Sequence, residues 1–262
     1  MLTLIKLGGS LITDKRKPGS FHRQLMQQTA QEIAQARKLQ PEWGWLIGHG
    51  SGSFGHVAAQ KYGTIHGVET PEQWQGFAEV GAIARQLNNL VVEILLEVGL
   101  PIFCLQPSAS AYCEHGQLLH LETAPTIAAL EHKLVPVVYG DVAIDGKLGG
   151  TIISTEKILA YLAKQLQPQR IFLLSEVAGI YDRTGKTIEK ITPATFEAIA
   201  PEIGGSDGTD VTGGMADKVA QMIQLVTELP NLEIRIFSGM IPGQLQATLI
   251  GQDTPGTLIS HR

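Results

Sequence analysis

The chain has 262 residues, of which 44% are hydrophobic and 17% charged, with 29 glycines. That is apolar enough for a large core and too sparsely charged for a disordered chain. A net charge of −5 offers no general field for nucleic acid or anionic lipid, so an anionic ligand must be met by local cations and backbone donors. No apolar run approaches the ~18 residues of a membrane span, and no signal-peptide pattern opens the chain. Cys104 and Cys113 match no metal or redox spacing, so reduced thiols in a cytoplasmic protein are expected.

Leu2 to Leu7 reads as a strand that runs into Gly8-Gly9-Ser10, with Lys15 beyond the turn. Lys6 stands inside this otherwise apolar strand. Burying it calls for an anion, either a ligand phosphate or a carboxylate, unless it reaches water at the strand edge. A helix is expected from about Phe21 to Leu39, followed by the apolar run Trp43 to Ile47 as a buried strand. Then comes Gly48-His49-Gly50-Ser51-Gly52-Ser53-Phe54-Gly55-His56, leading into a short helix that Lys61-Tyr62-Gly63 ends. Glycines and a helix N-terminus bring several N–H groups onto one anion, so this loop is expected to hold phosphate, with His56 donating from the helix. The alternative is a tight strand-to-helix turn carrying two solvated histidines. Gly50, Gly52 and Gly55 also spell the dinucleotide pattern, but no second strand with a closing acid follows, which ranks a nicotinamide enzyme lower.

A long helix is expected after Pro71, with an apolar stripe from Trp74 through Val80 and Ala84 to Val98. The stripe is most simply core, although part of it could line an apolar pocket beside the phosphate loop. Pro101 to Leu105 reads as a short buried strand, Gln106 to His120 as irregular polar chain, and Thr123 to His132 as a helix. His115 and His120 have no ligand spacing and read as surface residues. The strand Leu134 to Tyr139 ends in Gly140-Asp141, which puts a carboxylate on the ligand edge or simply starts the hairpin whose tip is Asp145-Gly146. Helix Ser154 to Leu166 precedes a boundary at Pro168-Gln169.

In the second half, strand Arg170 to Leu174 leads through Ser175 to Gly179-Ile180-Tyr181-Asp182. The stretch Gly179 to Thr187 has one residue too many for a P-loop, and Arg183 to Lys186 reads as a hairpin tip. Thr192-Pro193 starts a helix. A polar loop ending in Gly213-Gly214 then opens the helix that carries Lys218, repeating the arrangement of glycine amides, helix N-terminus and cation. Strand Glu233 to Phe237, a short helix and a last strand complete an alternating α/β pattern with a mainly parallel sheet.

Lys-Leu-Gly-Gly-Ser at 6–10, Ile-Thr-Asp-Lys at 12–15, the 49–56 run, Lys-Tyr-Gly at 61–63 and Asp-Val-Thr-Gly-Gly-Met-x-x-Lys at 210–218 resemble the amino acid kinase superfamily. Within it the chain is most similar to the isopentenyl phosphate kinases, with Ser-Phe-Gly-His the most specific element. The resemblance implies a three-layer α/β/α sandwich, a single domain over 1–262 with an acceptor-binding lobe (1–167) and a nucleotide-binding lobe (168–262). It also implies a homodimer that uses ATP and Mg2+ to phosphorylate isopentenyl phosphate for isoprenoid synthesis. A kinase of a phosphonate such as fosfomycin, or a non-catalytic nucleotide-binding protein on the same fold, are the alternatives. Carried over by position, Lys6, Gly9 and Lys15 approach the ATP phosphates, Gly52 lies at the junction with the acceptor, and Gly8, Ser10, Ser175, Gly179, Tyr181, Gly214 and Lys218 belong to the nucleotide side. Ser51, Gly52, Gly55, His56, Gly140 and Asp141 fall to the acceptor. Lys6, Lys15, His56 and Lys218 are the expected catalytic set, and no protein metal ligand is implied. The chain departs from the family pattern at Ser154-Thr155-Glu156, where relatives carry Ser-Gly-Asp, and at Ser175-Glu176-Val177-Ala178-Gly179, where they carry Thr-Asp-Val-Asp-Gly.

Overall fold

Strand β1 (Leu2–Leu7) is the axis of the main sheet, with parallel neighbours on both sides. The computed structural model describes residues 1–14, 17, 19–203 and 215–262, and at 56–58 the backbone only. After β1 come α1 (Gly9–Ile12), α2 (Arg23–Leu39), β2 (Gly44–His49), α3 (Gly52–Tyr62), α4 (Pro71–Glu97) and β3 (Ile102–Cys104). A middle section follows with β4 (Tyr112–Glu114), β5 (Gln117–His120), α5 (Ala124–Glu131), β6 (Val135–Tyr139), β7 (Asp141–Asp145), β8 (Gly149–Ile153) and α6 (Thr155–Leu166). The last third holds β9 (Arg170–Ser175), β10 (Lys190–Ile191), α7 (Pro193–Ile199), α8 (Met215–Glu228), β11 (Glu233–Ser238), α9 (Gln244–Leu249) and β12 (Thr257–Ser260).

Eight strands form one sheet in the order β10-β12-β11-β9-β1-β2-β6-β3, and β11 with β12 is its antiparallel pair. The strand period of two sends alternate β1 residues to opposite faces. Leu4 joins Leu159, Leu162 and Val226 of α6 and α8 in one core cluster. Ile5 and Leu7 join Ile33, Leu87 and Val91 of α2 and α4 in the other. Helices on both faces of a mainly parallel sheet make the expected three-layer sandwich. The boundary at 168–169 is no break in the sheet, because β9 pairs directly with β1.

Helix ends follow their local chemistry. Thr70 and Gln73 form a capping box on α4 with Pro71 at its first position, and Gly99 with φ +82 follows its last turn. Ser154 caps α6 and Thr192 caps α7. No described helix is long and apolar enough to cross a membrane.

Two sequence expectations are corrected. Residues 106–120 are not irregular throughout: β4 and β5 form a hairpin, and with β7 and β8 a second sheet in the order β5-β4-β7-β8. Its tip, His115-Gly116, turns with both residues at positive φ, which suits a two-residue hairpin. The strand at 101–105 is an edge rather than a buried strand. β3 pairs only with β6 among the described strands, and Phe103 and Cys104 are exposed.

Candidate active site

Chain reversals after β1, β2 and β9 meet at the C-terminal edge of the parallel strands, where open α/β sheets bind ligands. They border a cleft of about 540 Å³. The turns touch backbone to backbone. Gly8 N donates to Leu174 O at 2.9 Å and Gly50 N to Leu7 O at 3.0 Å. A Cβ at Gly9 would lie 2.6 Å from Gly52 N, so the close approach of α1 to α3 needs glycine there. Thr13 Oγ1 donates to Gly9 O and accepts from Ser53 N, at 2.8 and 2.9 Å, which fixes the two helix starts to each other.

Lys6 shares the Leu4 face of β1 and therefore lies under the N-terminus of α6. Its Nζ donates to Glu156 Oε1 at 2.5 Å, with both side chains mostly buried. Burial pushes the Glu156 carboxyl up, but Lys6, and more distantly Lys218 on α8, outweigh it and hold the group below the ordinary glutamate range. Its place in the first turn of α6 favours the same negative charge.

Two groups of apolar residues line the remainder of the cleft and come from opposite parts of the chain. Ala59, Ile65, Val80, Ala84 and Ile152 belong to α3, α4, β8 and the turn between the helices. Leu173, Val177, Met222 and Ile236 belong to the second half. The α4 stripe is thus mostly core, and it lends Val80 and Ala84 to the cleft as the sequence allowed.

Residues 1–238 match the amino acid kinase family. The chain belongs to the amino acid kinase family. It is 32% identical to the isopentenyl phosphate kinase of Methanothermobacter thermautotrophicus, over the whole of both chains. It is 34% identical to that of Methanocaldococcus jannaschii, over 84% of this chain and 85% of the other. A solved structure described as an isopentenyl phosphate kinase superimposes with a TM-score of 0.83 at 28% identity, covering 99% of this chain and all of that one.

Against this kinase fold, the sequence-predicted residues can be placed. Lys6, Gly8, Gly9, Ser10, Ser51, Gly52, Gly55, Gly140, Asp141, Ser175, Gly179, Tyr181 and Lys218 all line the one cleft. Lys15, Gly214 and the side chain of His56 lie outside the described residues. Asp141 is buried and starts the β7–β8 hairpin. Its Oδ2 accepts from Ser108 N at 3.0 Å and its Oδ1 from Val142 N at 2.9 Å. Burial raises its pKa more than these bonds lower it. The anion that buried Lys6 called for is the Glu156 carboxylate. Sequence reasoning missed that role, because Ser154-Thr155-Glu156 read only as a departure from the family pattern. Thr155 contributes as well: its Oγ1 donates to His49 O at 2.6 Å, joining α6 to the end of β2. The signal available was an acid in the first turn of a capped helix after a strand, with a lysine in apolar β1 that called for an anion.

Proposed function

We propose that this phosphotransferase moves the γ-phosphate of ATP onto the phosphate of isopentenyl phosphate, giving isopentenyl diphosphate and ADP. The observation that carries this reading is a single cleft with a glycine-and-lysine waist and an apolar end built by α3, α4 and β8. An anionic head with a short hydrocarbon tail suits that combination, because the waist meets charge and the apolar end removes the tail from water. In this reading residues 1–167 take the acceptor and 168–262 the nucleotide. Ser51, Gly52, Gly55, His56, Gly140 and Asp141 surround the acceptor head. Gly8, Gly9, Ser10, Gly214 and Lys218 face the ATP phosphates, and Ser175, Gly179 and Tyr181 border the nucleoside.

The acceptor phosphate is already anionic at neutral pH, so no general base has to act on it. The chemistry reduces to bringing two mutually repelling groups into line. Lys6, Lys15 and Lys218 neutralise charge on the moving phosphoryl group, and Glu156 keeps the Lys6 ammonium in place. The described residues hold no cluster of three acids, histidines or cysteines. Mg2+ bound with the nucleotide would supply further charge neutralisation. The enzyme is read as a cytoplasmic homodimer.

An acceptor panel with radiolabelled ATP tests the proposal, using isopentenyl phosphate, fosfomycin and an N-acyl amino acid. Label transfer to isopentenyl phosphate is expected, with at least tenfold lower kcat/KM for the other two. Preference for fosfomycin would move the enzyme to the phosphonate kinases. Absence of ADP release with every acceptor would favour a nucleotide-binding protein without turnover.

A further inference from the structure

His49, the last residue of β2, points away from the cleft into the α4 face of the sheet and is 1% exposed. Its ring stacks on Tyr139 of β6, with centroids 5.6 Å apart and planes 12° from parallel. Nδ1 lies 3.1 Å from the carbonyl oxygen of Gly50, and Nε2 lies 3.1 Å from Oδ1 of Asn88 on α4, itself 2% exposed. Nδ2 of that carboxamide lies 3.0 Å from Cys104 Sγ.

The chemistry of these partners fixes the protons. The Gly50 carbonyl can only accept, so Nδ1 carries hydrogen. Burial disfavours the imidazolium and pushes the His49 pKa down, by more than the Gly50 carbonyl, and Asn88 with its oxygen toward the ring, raise it. Nε2 of a neutral ring is then an acceptor, and Asn88 must offer it the amide N–H. A half-turn of a carboxamide exchanges N and O on the same sites, leaving the amide oxygen to accept from the Cys104 S–H. The chain of donors therefore runs from Cys104 through Asn88 and His49 to Gly50, complete with neutral groups alone. The other polar or titratable groups around it are Tyr139, Thr155, whose hydroxyl donates to His49 O, and Asp141 and Arg85, which act on Tyr139.

We propose that His49 is a positioning residue, a neutral Nδ1–H imidazole held by Asn88 that fixes the Gly50 carbonyl and thereby aims the Ser51 N–H. In a trans peptide, C=O and N–H point in opposite directions. Anchoring the Gly50 carbonyl to the His49 ring sends the Ser51 N–H the other way, at a residue that lines the cleft. The inference rests on the assignment of Ser51 to the acceptor phosphate.

Long-range 1H–15N NMR of the imidazoles in the full chain tests the proton placement independently of activity. His49 should hold a protonated Nδ1 and an unprotonated Nε2 throughout the pH range in which an exposed histidine changes charge. An Nε2–H tautomer, or titration near the ordinary value, would overturn the proposal. Kinetics test the positioning. His49→Leu fills the site without a donor and should raise the acceptor KM roughly 10- to 100-fold, with the ATP KM little changed. His49→Asn carries an amide N–H near the Nδ1 position and should recover most of that loss. Equal impairment in both variants, or none in either, refutes the role. If the leucine variant does not fold, the NMR result on the unsubstituted chain decides. A wild-type chain inactive on isopentenyl phosphate that still shows the Nδ1–H tautomer would instead sink the substrate assignment.

Discussion

Gly52 has φ +48, and a Cβ there would lie 2.0 Å from Thr13 Oγ1 and 2.6 Å from Gly9 O. The left-handed backbone alone costs roughly 1–2 kcal/mol for a residue with a Cβ. The backbone oxygen cannot move without opening the contact between the two glycine turns. Gly63, with φ +61 and open space for 4 Å around the place a Cβ would take, carries the same strain without the collision. Gly52→Ala is therefore expected to lower kcat/KM by about 100-fold while Gly63→Ala loses only the strain energy and keeps its turnover. Steady-state kinetics beside thermal melts of both variants check this, and equal activity losses would contradict it. At this scale the sequence was half legible. A lysine between Ile5 and Leu7 announces that an anion is near, but its partner is 150 positions away in sequence, at Glu156. Nothing local couples the two; only the packing of α6 on the Leu4 face of β1 does.

Elements with regular periodicity and terminal punctuation were the legible ones, and those held by long-range pairing were not. Helices α4, α6 and α7 open where the sequence placed them, behind the caps Thr70, Ser154 and Thr192. The β4–β5 hairpin escaped because its strands are three and four residues long, with no clean alternation of apolar and polar side chains. Its order comes from elsewhere. Asp145, 2% exposed at the end of β7, accepts from the backbone N–H groups of His115, Gly116, Lys147 and Leu148. One carboxylate thus ties the tips of both hairpins together. Burial pushes its pKa up, but the four N–H donors outweigh that and leave it below the ordinary 3.8. A depressed carboxylate contributes stability that is full above that ordinary value and is lost as pH falls through the folded value. Asp145→Asn keeps the oxygen that serves three donors but turns an NH2 toward Gly116 N–H, or the reverse. It is expected to cost about 1–3 kcal/mol at pH 7, and the gap should narrow in strong acid. Urea unfolding of both proteins across that range measures the difference, and a gap independent of pH would rule out the carboxylate's part in it.

Across the whole molecule, the placement of β1 explains why one cleft draws on both halves of the chain. β1 pairs with β2 on one side and with β9 on the other, so the turns that follow all three strands reach a common edge. The four catalytic residues named from sequence divide between these halves, with Lys218 on α8 and His56 on α3. If each half takes its own ligand, binding to the folded state should stabilise it separately for each. A ligand at about 100 times its Kd adds about 2.7 kcal/mol, which for a chain of this size is a melting shift of roughly 5–10 °C. MgATP and isopentenyl phosphate should each produce such a shift in the unsubstituted chain. Lys218→Ala should lose most of the nucleotide shift and keep the acceptor shift, and His56→Ala should do the opposite. Thermal denaturation of the three proteins with each ligand alone gives the answer without any turnover. A substitution that erased both shifts together would mean that the two halves do not hold separable sites, and that the charges are shared along the cleft.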